Sequence, residues 1–485
     1  MIVSATDLLR VLPEVVLAAF GILIMVADPF LPREQKRMLG SVAFIGALTA
    51  LVATVVQAVR FDLAFGPAFN NLVVIDSFAV FLHFLLLAIT ALTILASFRY
   101  VEQENIAPGE YYALLLFAAI GMGLMAAANE LILIFLGLET SSIATYVLAG
   151  CRRSALKSNE AAMKYFLLGS FATAFLLYGI ALLFGATGTT FLPEIAARLR
   201  TDTNGTLTLM GMALLFVGLG FKVASAPFQV WVPDVYEGAP TPVTAFLSAG
   251  PKAAAFAAFL RIFFVALGPA NDTWFWLIWA CAILTMFVGN LGALAQTNIK
   301  RMLAYSSIAH AGYILVAFAA RNELGIAAVL FYLVAYALMK LGAFSLVSHV
   351  SQGEANQSID DYAGLHTRQP VLAACLTVFL LSLIGIPLTG GFLGKFYLFT
   401  AAVKAQLIWL VVLGVINSVL SAGYYLRVVK VMYMNEPTSQ AALAPVPASL
   451  AFVLALTTLG TIYLGILPDA LMQFAAPSAH PLFLP

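Results

Sequence analysis

Charge is scarce in this chain: Asp, Glu, Lys and Arg make up 10% of its 485 residues, where a soluble domain carries about 25%. That scarcity excludes a water-facing surface over most of the fold. Basic and acidic residues nearly cancel, 24 against 23, so the cationic face that nucleic acid requires is missing. Cysteine is almost missing too. Cys151, Cys281 and Cys375 stand apart with no CxxC or CxxxH neighbour, which removes a disulfide framework and an iron–sulfur site. No flavin, nucleotide or metal motif occurs, and no polar linker divides the chain. The first apolar run has no small-residue cleavage site after it and reads as a retained helix.

What abounds is hydrocarbon: 62% of residues are hydrophobic and the mean hydropathy is +0.99. Apolar runs cover residues 8–29, 39–60, 77–98, 111–128, 130–150, 161–186, 208–231, 242–266, 273–295, 301–320, 325–350, 370–400, 405–433 and 446–472. A bilayer-spanning helix needs about 20 such residues. The runs are too long and continuous for barrel strands, and backbone in lipid must bond within its own segment or across a closed barrel. The expected fold is an all-α polytopic membrane protein with about 14 transmembrane helices.

Loop charges set an expected orientation. Connections after odd-numbered helices hold Arg33, Lys36, Arg37, Arg99, Arg152, Arg153, Lys157, Lys300, Arg301, Arg368, Arg427 and Lys430. Those after even-numbered helices hold half as many: Arg60, Arg198, Arg200, Arg261, Arg321 and Lys404. The positive-inside rule then puts the odd connections in the cytoplasm and both termini on the periplasmic side.

Apart from Arg10, five basic residues remain, all lysines inside expected spans: Lys164, Lys222, Lys252, Lys340 and Lys395. A lysine at mid-membrane costs about 2.5–3.5 kcal/mol on the insertion scale, so it marks function or faces water. Lys164 lies only a few residues into its span and can equally be read as snorkelling to the interface. The other four sit deep or beside a helix break. Arginine stays charged, whereas a desolvated lysine can release and regain a proton. Glu139 is the acidic counterpart, a partner whose changing distance from a lysine would shift that lysine's proton affinity. His310 adds a group that titrates near neutral pH, or else a hydrogen-bonded packing residue. Glu14 reads as interfacial, His83 as structural, Arg261 and Arg427 as interfacial anchors, and Asp234 and Glu237 as solvated loop residues.

The buried polar positions recur at nearly one offset. Glu139 and His310 are 171 residues apart, Lys164 and Lys340 176, Lys222 and Lys395 173. Five helices fit that offset, an odd number, so the two copies must be inverted, as in many transporters. The expected units are flanking helices 1–3 (1–110), a first repeat (111–266), an inverted second repeat (273–433) and helix 14 (446–485). Each repeat holds a break, at Pro227 in SAPFQVWVPD and at Pro387, Gly390 and Gly391 in GIPLTGGFLGK. Proline removes a donor and clashes with the preceding turn. A break beside a lysine suits a hydrated half-channel, although a plain proline kink reads the same way.

The segments GLGFKVASAPFQVWVPDVYEGAPTPVTAFLSAGPKAA, GNLGALAQTNIKRMLAYSSIAHAGY and GIPLTGGFLGKFYLF resemble the antiporter-like membrane subunits of respiratory complex I. Among these they are most similar to the subunit N branch of the bacterial proton-translocating NADH–quinone oxidoreductases. The resemblance covers about residues 70–435. It implies a bacterial inner-membrane protein in a proton-pumping complex. Glu139 would be the acidic partner on helix five, Lys222 the lysine on broken helix seven, Lys252 the connecting lysine, and Lys395 the terminal lysine on broken helix twelve. Lys340 falls where related subunits often carry a lysine or histidine, a position that varies within subunit N. The resemblance also implies partners: other membrane subunits and a peripheral arm carrying FMN and iron–sulfur clusters, with quinone as substrate and no cofactor in this chain. Two other readings fit the residues, a subunit of a multisubunit Na+/H+ antiporter or hydrogenase-linked pump, and a structural membrane subunit with dead channels.

Overall fold

A computed structural model describes residues 4–60, 65–201, 205–351, 354–437 and 444–483. Among them, thirteen helices are long and apolar enough to cross a membrane. They are α1 (Leu12–Phe30), α2 (Gln35–Val59), α3 (Ser77–Gln103), α4 (Pro108–Ala127), α5 (Leu131–Ala149), α6 (Leu156–Thr187), α7 (Thr206–Gly238), α8 (Thr241–Ala266), α9 (Gly268–Leu294), α10 (Ile299–Ala319), α11 (Glu323–Val350), α13 (Ile408–Met434) and α14 (Ala448–Ile466). The remaining crossing, α12, consists of two shorter helices, Pro370–Ile384 and Gly390–Lys404.

Local chemistry sets the helix starts. Asp76, Glu130, Asn298 and Asn322 cap α3, α5, α10 and α11 by accepting a backbone N–H with the side chain, satisfying a donor that the first turn leaves open. Pro108 and Pro370 occupy first-turn positions, where a missing N–H costs nothing. A two-stranded antiparallel hairpin, β1 (Gly66–Ala68) with β2 (Val73–Ile75), joins α2 to α3. A C-terminal helix, Asp469–Ala479, lies against α3 and α11.

The bundle has a protein-lined centre and a lipid-facing rim. Neighbours cover most of α3, α8, α10 and α11, whereas α1, α13 and α14 are largely uncovered. The rim presents large apolar side chains such as Val59, Phe171, Trp409 and Val419. Helix association in lipid relies on close packing instead of hydrophobic driving force. Accordingly, a Cβ on Gly121 of α4 would meet the Gly137 carbonyl of α5 at 2.4 Å, and one on Gly289 of α9 would meet the Ala309 nitrogen of α10 at 2.3 Å.

Both expected breaks occur. In α7 the first half ends at Val223, Ala224 turns to φ +64°, and a 3-10 turn at Phe228–Trp231 leads into Val232–Gly238. Pro227 stands in this break. In α12 the chain leaves Ile384 through Gly385 at φ +93°, passes Pro387, and restarts at Gly390 and Gly391.

Candidate functional site

Lys222 lies in the last turn of the first half of α7 and reaches toward α5. Its Nζ donates to Ser142 Oγ at 2.7 Å and Tyr146 Oη at 3.1 Å and lies 5.1 and 5.7 Å from the ring centres of Tyr146 and Tyr165. Ser142 and Tyr146 are four residues apart and share one face of α5. Glu139 stands one turn before Ser142, with a buried Oε1 that has no hydrogen-bond partner. Among the described residues no ion pair joins Glu139 to Lys222. The hydroxyls of Ser142 and Tyr146 lie nearer and occupy the ammonium instead.

The next polar groups form a stripe along α10. Leu303, Ser306, Ser307 and His310 follow the spacing i, i+3, i+4, i+7, one side of a helix. Tyr332, Tyr336 and Lys340 face them from α11 at four-residue steps. Lys252, 2% exposed on α8, donates to the Ser307 carbonyl and hydroxyl at 2.7 and 2.6 Å. The Ser307 hydroxyl lies 2.6 Å from Tyr336 Oη. Lys340, fully buried, donates to the Leu303 carbonyl and to Ser306 Oγ, both at 2.8 Å. Ser306 then meets the Tyr425 hydroxyl. Tyr425 lies 3.2 Å from His310 Nε2, and His310 Nδ1 meets the Tyr332 hydroxyl.

Lys395 lies on the second half of α12. Its Nζ donates to the carbonyls of Leu383 and Ile384 at 3.0 and 2.9 Å, to Ser418 Oγ at 2.9 Å, and sits 4.4 Å from the centre of the Tyr313 ring. Tyr313 continues into a polar cluster. Asn290 Nδ2 donates to Tyr313 Oη at 3.2 Å and to Asn417 Oδ1 at 3.0 Å, and Tyr424 Oη donates to Asn290 Oδ1 at 3.0 Å. Alternating ammonium, imidazole and hydroxyl groups can pass protons by short transfers, because each group can give one proton while accepting another.

Lys164 differs from the other lysines. Its side chain is 40% exposed and pairs with Glu160 and Asp234, each at 2.7 Å. Asp234 and Glu237 are not solvated loop residues. They lie on the second half of α7 and pair with Arg301 at 2.6 and 3.1 Å, because the break turns this half-helix back against α6 and α10. Lys300, counted above as a loop charge, is fully buried, 2.7 Å from Glu354 Oε2, and donates to the Ala239 carbonyl at 2.7 Å. Asn298 starts α10 before it, so Lys300 falls inside the first turn.

At the opposite end two further expectations give way. Arg261 is not an interfacial anchor. It is 3% exposed and pairs with Asp76 at 2.8 Å, held by the π-helical turn that ends α8. Glu14 is not interfacial either. Its Oε1 lies 3.1 Å from His83 Nε2 with both side chains buried, since α3 and α4 cover that face of α1. Arg427 does end at backbone, donating to the carbonyls of Leu294 and Gln296.

The tyrosines and serines joining the lysines were not singled out from the sequence. The signal was available in part: three tyrosines of α10 and α11, Tyr313, Tyr332 and Tyr336, stand in long apolar runs and are fully buried. Among the described residues no group of three or more His, Cys, Asp or Glu is placed to hold a metal ion.

Residues 128–421 match the family model described as NADH:quinone oxidoreductase/Mrp antiporter, TM. NADH-quinone oxidoreductase subunit N 1 of Solibacter usitatus is 51% identical over 98% of this chain and 97% of its own length. A chain of the respiratory complex I from Thermus thermophilus with bound aureothin superposes with a TM-score of 0.81, at 34% identity, over 96% of this chain and 99% of that one. A chain of the Mrp complex from Dietzia shares the fold at a TM-score of 0.86 and 22% identity, covering 99% of this chain and 98% of that one. A multi-pass helical bundle with lysines in both broken helices, matched end to end by such relatives, belongs to the antiporter-like subunit N family of NADH-quinone oxidoreductase.

Proposed function

We propose that this chain carries protons across the bacterial inner membrane, driven by quinone reduction in other subunits of the same complex. One observation carries the reading: a buried line of hydrogen-bonded groups links Lys340 through Ser306 and Tyr425 to His310 and Tyr332, with Lys252, Ser307 and Tyr336 beside it. Every cation in that line is a lysine or histidine, groups that can lose their charge, and none is an arginine. Lys222 and Lys395 stand at its two ends, each next to a helix break, as Lys252 and Lys340 stand in its middle.

The driving device is the Glu139–Lys222 distance. A carboxylate approaching an ammonium inside low-dielectric surroundings favours the charged lysine, and its withdrawal favours proton release. The unpartnered Glu139 oxygen leaves that carboxyl free to shift along α5. Released protons pass by way of Lys252, Lys340 and His310 to Lys395. Helices α4–α8 and α9–α13 act as two inverted repeats with a half-channel at each break, flanked by α1–α3 and α14. The matching close contacts of α4 with α5 and of α9 with α10 support that pairing. Odd-numbered connections face the cytoplasm and both termini the periplasm. FMN, the iron–sulfur clusters and quinone belong to partner subunits.

The test uses the whole complex in proteoliposomes, with NADH oxidation and proton uptake followed together. Complexes carrying Lys222→Ala or Lys395→Ala should assemble yet lose pumping through this subunit; full pumping in both rules the relay out. The shared fold with the Mrp complex also fits an antiporter subunit. Proton movement that requires the electron donor separates the two.

A further inference from the structure

The hydrogen-bonded groups form separate sets, and one of the intervals between them lies between Lys222 and Lys252. Lys222 binds hydroxyls of α5, and Lys252 binds Ser307 of α10; among the described residues no hydrogen bond joins the two sets. We propose that Tyr236 spans this interval, its hydroxyl passing protons between the Lys222 side and Ser307. This inference rests on the relay reading above.

Tyr236 comes from the second half of α7, which the break redirects toward α8 and α10. It is fully buried, and its hydroxyl has no hydrogen-bond partner. A buried phenol normally secures a partner, so an unpartnered one in a protein-lined centre calls for an explanation. Its surroundings supply one. On one side its ring meets Trp231 edge-on at 6.1 Å, and Trp231 stacks on Tyr165 at 4.5 Å, the ring that faces Lys222. On the other side it meets Phe344 at 6.3 Å. The hydroxyl lies near Ser307 without a well-formed bond to it, and within electrostatic range of Tyr336 and Tyr165. Thr244 Oγ1 donates to the Tyr236 carbonyl at 3.0 Å, which ties this residue to α8, the helix that carries Lys252.

The step balances without any co-reactant. As the Tyr236 O–H bond gives its proton toward Ser307, whose hydroxyl gives one to the neutral Lys252 amine, a proton from the charged Lys222 side forms a new O–H bond on Tyr236. The phenol is unchanged after each transfer, and one positive charge has moved from Lys222 to Lys252.

Tyr236→Phe in the whole complex is the decisive variant, since it removes one oxygen that holds no partner and keeps the ring. Assembly and melting should match the unsubstituted complex, while pumping per electron falls as far as in Lys222→Ala. A purely packing role predicts no loss. Ser307→Ala gives the second measurement: acting in series with Tyr236, it should lower pumping, and the double variant should be no worse than either single one. Unchanged pumping in Tyr236→Phe, with Lys222→Ala suppressed, overturns this inference alone. Additive losses in the double variant also overturn it. Full pumping in Lys222→Ala overturns the relay itself.

Discussion

The Lys395 ammonium lies 2.9 Å from the carbonyl oxygen of Ile384, on the other half of the helix that carries it. It also takes the Leu383 carbonyl at 3.0 Å. In a continuous helix the Leu383 carbonyl would accept from residue 387, but that residue is proline and has no N–H. The lysine therefore replaces the donor that the break removes. Membrane backbone must find partners inside the protein, so the proline both opens the helix and fixes the amine.

Gly385 controls this contact. Its φ of +93° is a conformation other residues rarely adopt, and a Cβ there would stand 3.2 Å from Lys395 Cδ. Gly385→Ala should destabilise the protein by about 1–3 kcal/mol and displace the lysine. Thermal scans of the purified complex should show a lower melting temperature, and proteoliposomes reduced pumping. A variant with wild-type melting and pumping would contradict this role.

Lys300 and Glu354 form a buried pair at the end of the bundle shared by the α7–α8, α9–α10 and α11–α12 connections. Burial pushes the Glu354 carboxyl up, but the Lys300 ammonium and hydrogen bonds from Lys300, Thr241 and Tyr100 outweigh it and hold the carboxyl below its ordinary value of 4.5. The sign follows. A carboxyl with a lowered folded value adds stability that is present above 4.5 and is lost as pH falls through the folded value. Glu354→Gln should cost about 3–5 kcal/mol at neutral pH, because it strands a buried ammonium. Melting of the variant and parent complexes should converge in acid, and a constant difference down to low pH would refute the assignment.

Much of this was legible in the sequence, for a physical reason. Lipid forces each apolar run to become a helix, so hydropathy alone placed fourteen crossings, and Pro227 and Pro387 marked the breaks. Lys252, Lys340 and Lys395 were legible because charge in an apolar run has few explanations. What stayed hidden depends on how helices meet. Lys300 looks like a loop charge until α8 and the Glu354 segment cover it, and Glu14 looks interfacial until α3 supplies His83. The connecting hydroxyls gave only a partial signal, because tyrosine and serine are tolerated in membrane helices without a role.

Lys164 should behave unlike the central lysines. Its side chain is 40% exposed, and Arg301 still holds Asp234 when it is removed. Exposed ion pairs are screened by solvent and add little stability. Lys164→Ala should therefore melt close to the parent and keep its pumping, whereas Lys340→Met should lose it. Equal losses in the two variants would bring Lys164 into the relay.

The Glu14–His83 pair should show the reverse pattern. His83 Nε2 lies 3.1 Å from Glu14 Oε1 and 3.2 Å from the Gly123 carbonyl, so α1, α3 and α4 meet at one point. A Cβ on Gly123 would stand 2.5 Å from Glu14 Oε1, and the carboxylate must move away from the imidazole. Gly123→Ala should cost about 1–3 kcal/mol, the usual penalty for overpacking. Pumping per electron in the complexes that assemble should stay at the parent level, because no relay group touches this cluster. Glu14→Ala removes the atoms in the way, so adding it to Gly123→Ala should cost less than the two single losses together. Melting of the four complexes gives that coupling directly. Strict additivity would place the strain of Gly123→Ala somewhere other than the carboxylate, and a fall in pumping would tie the flanking helices to proton transfer.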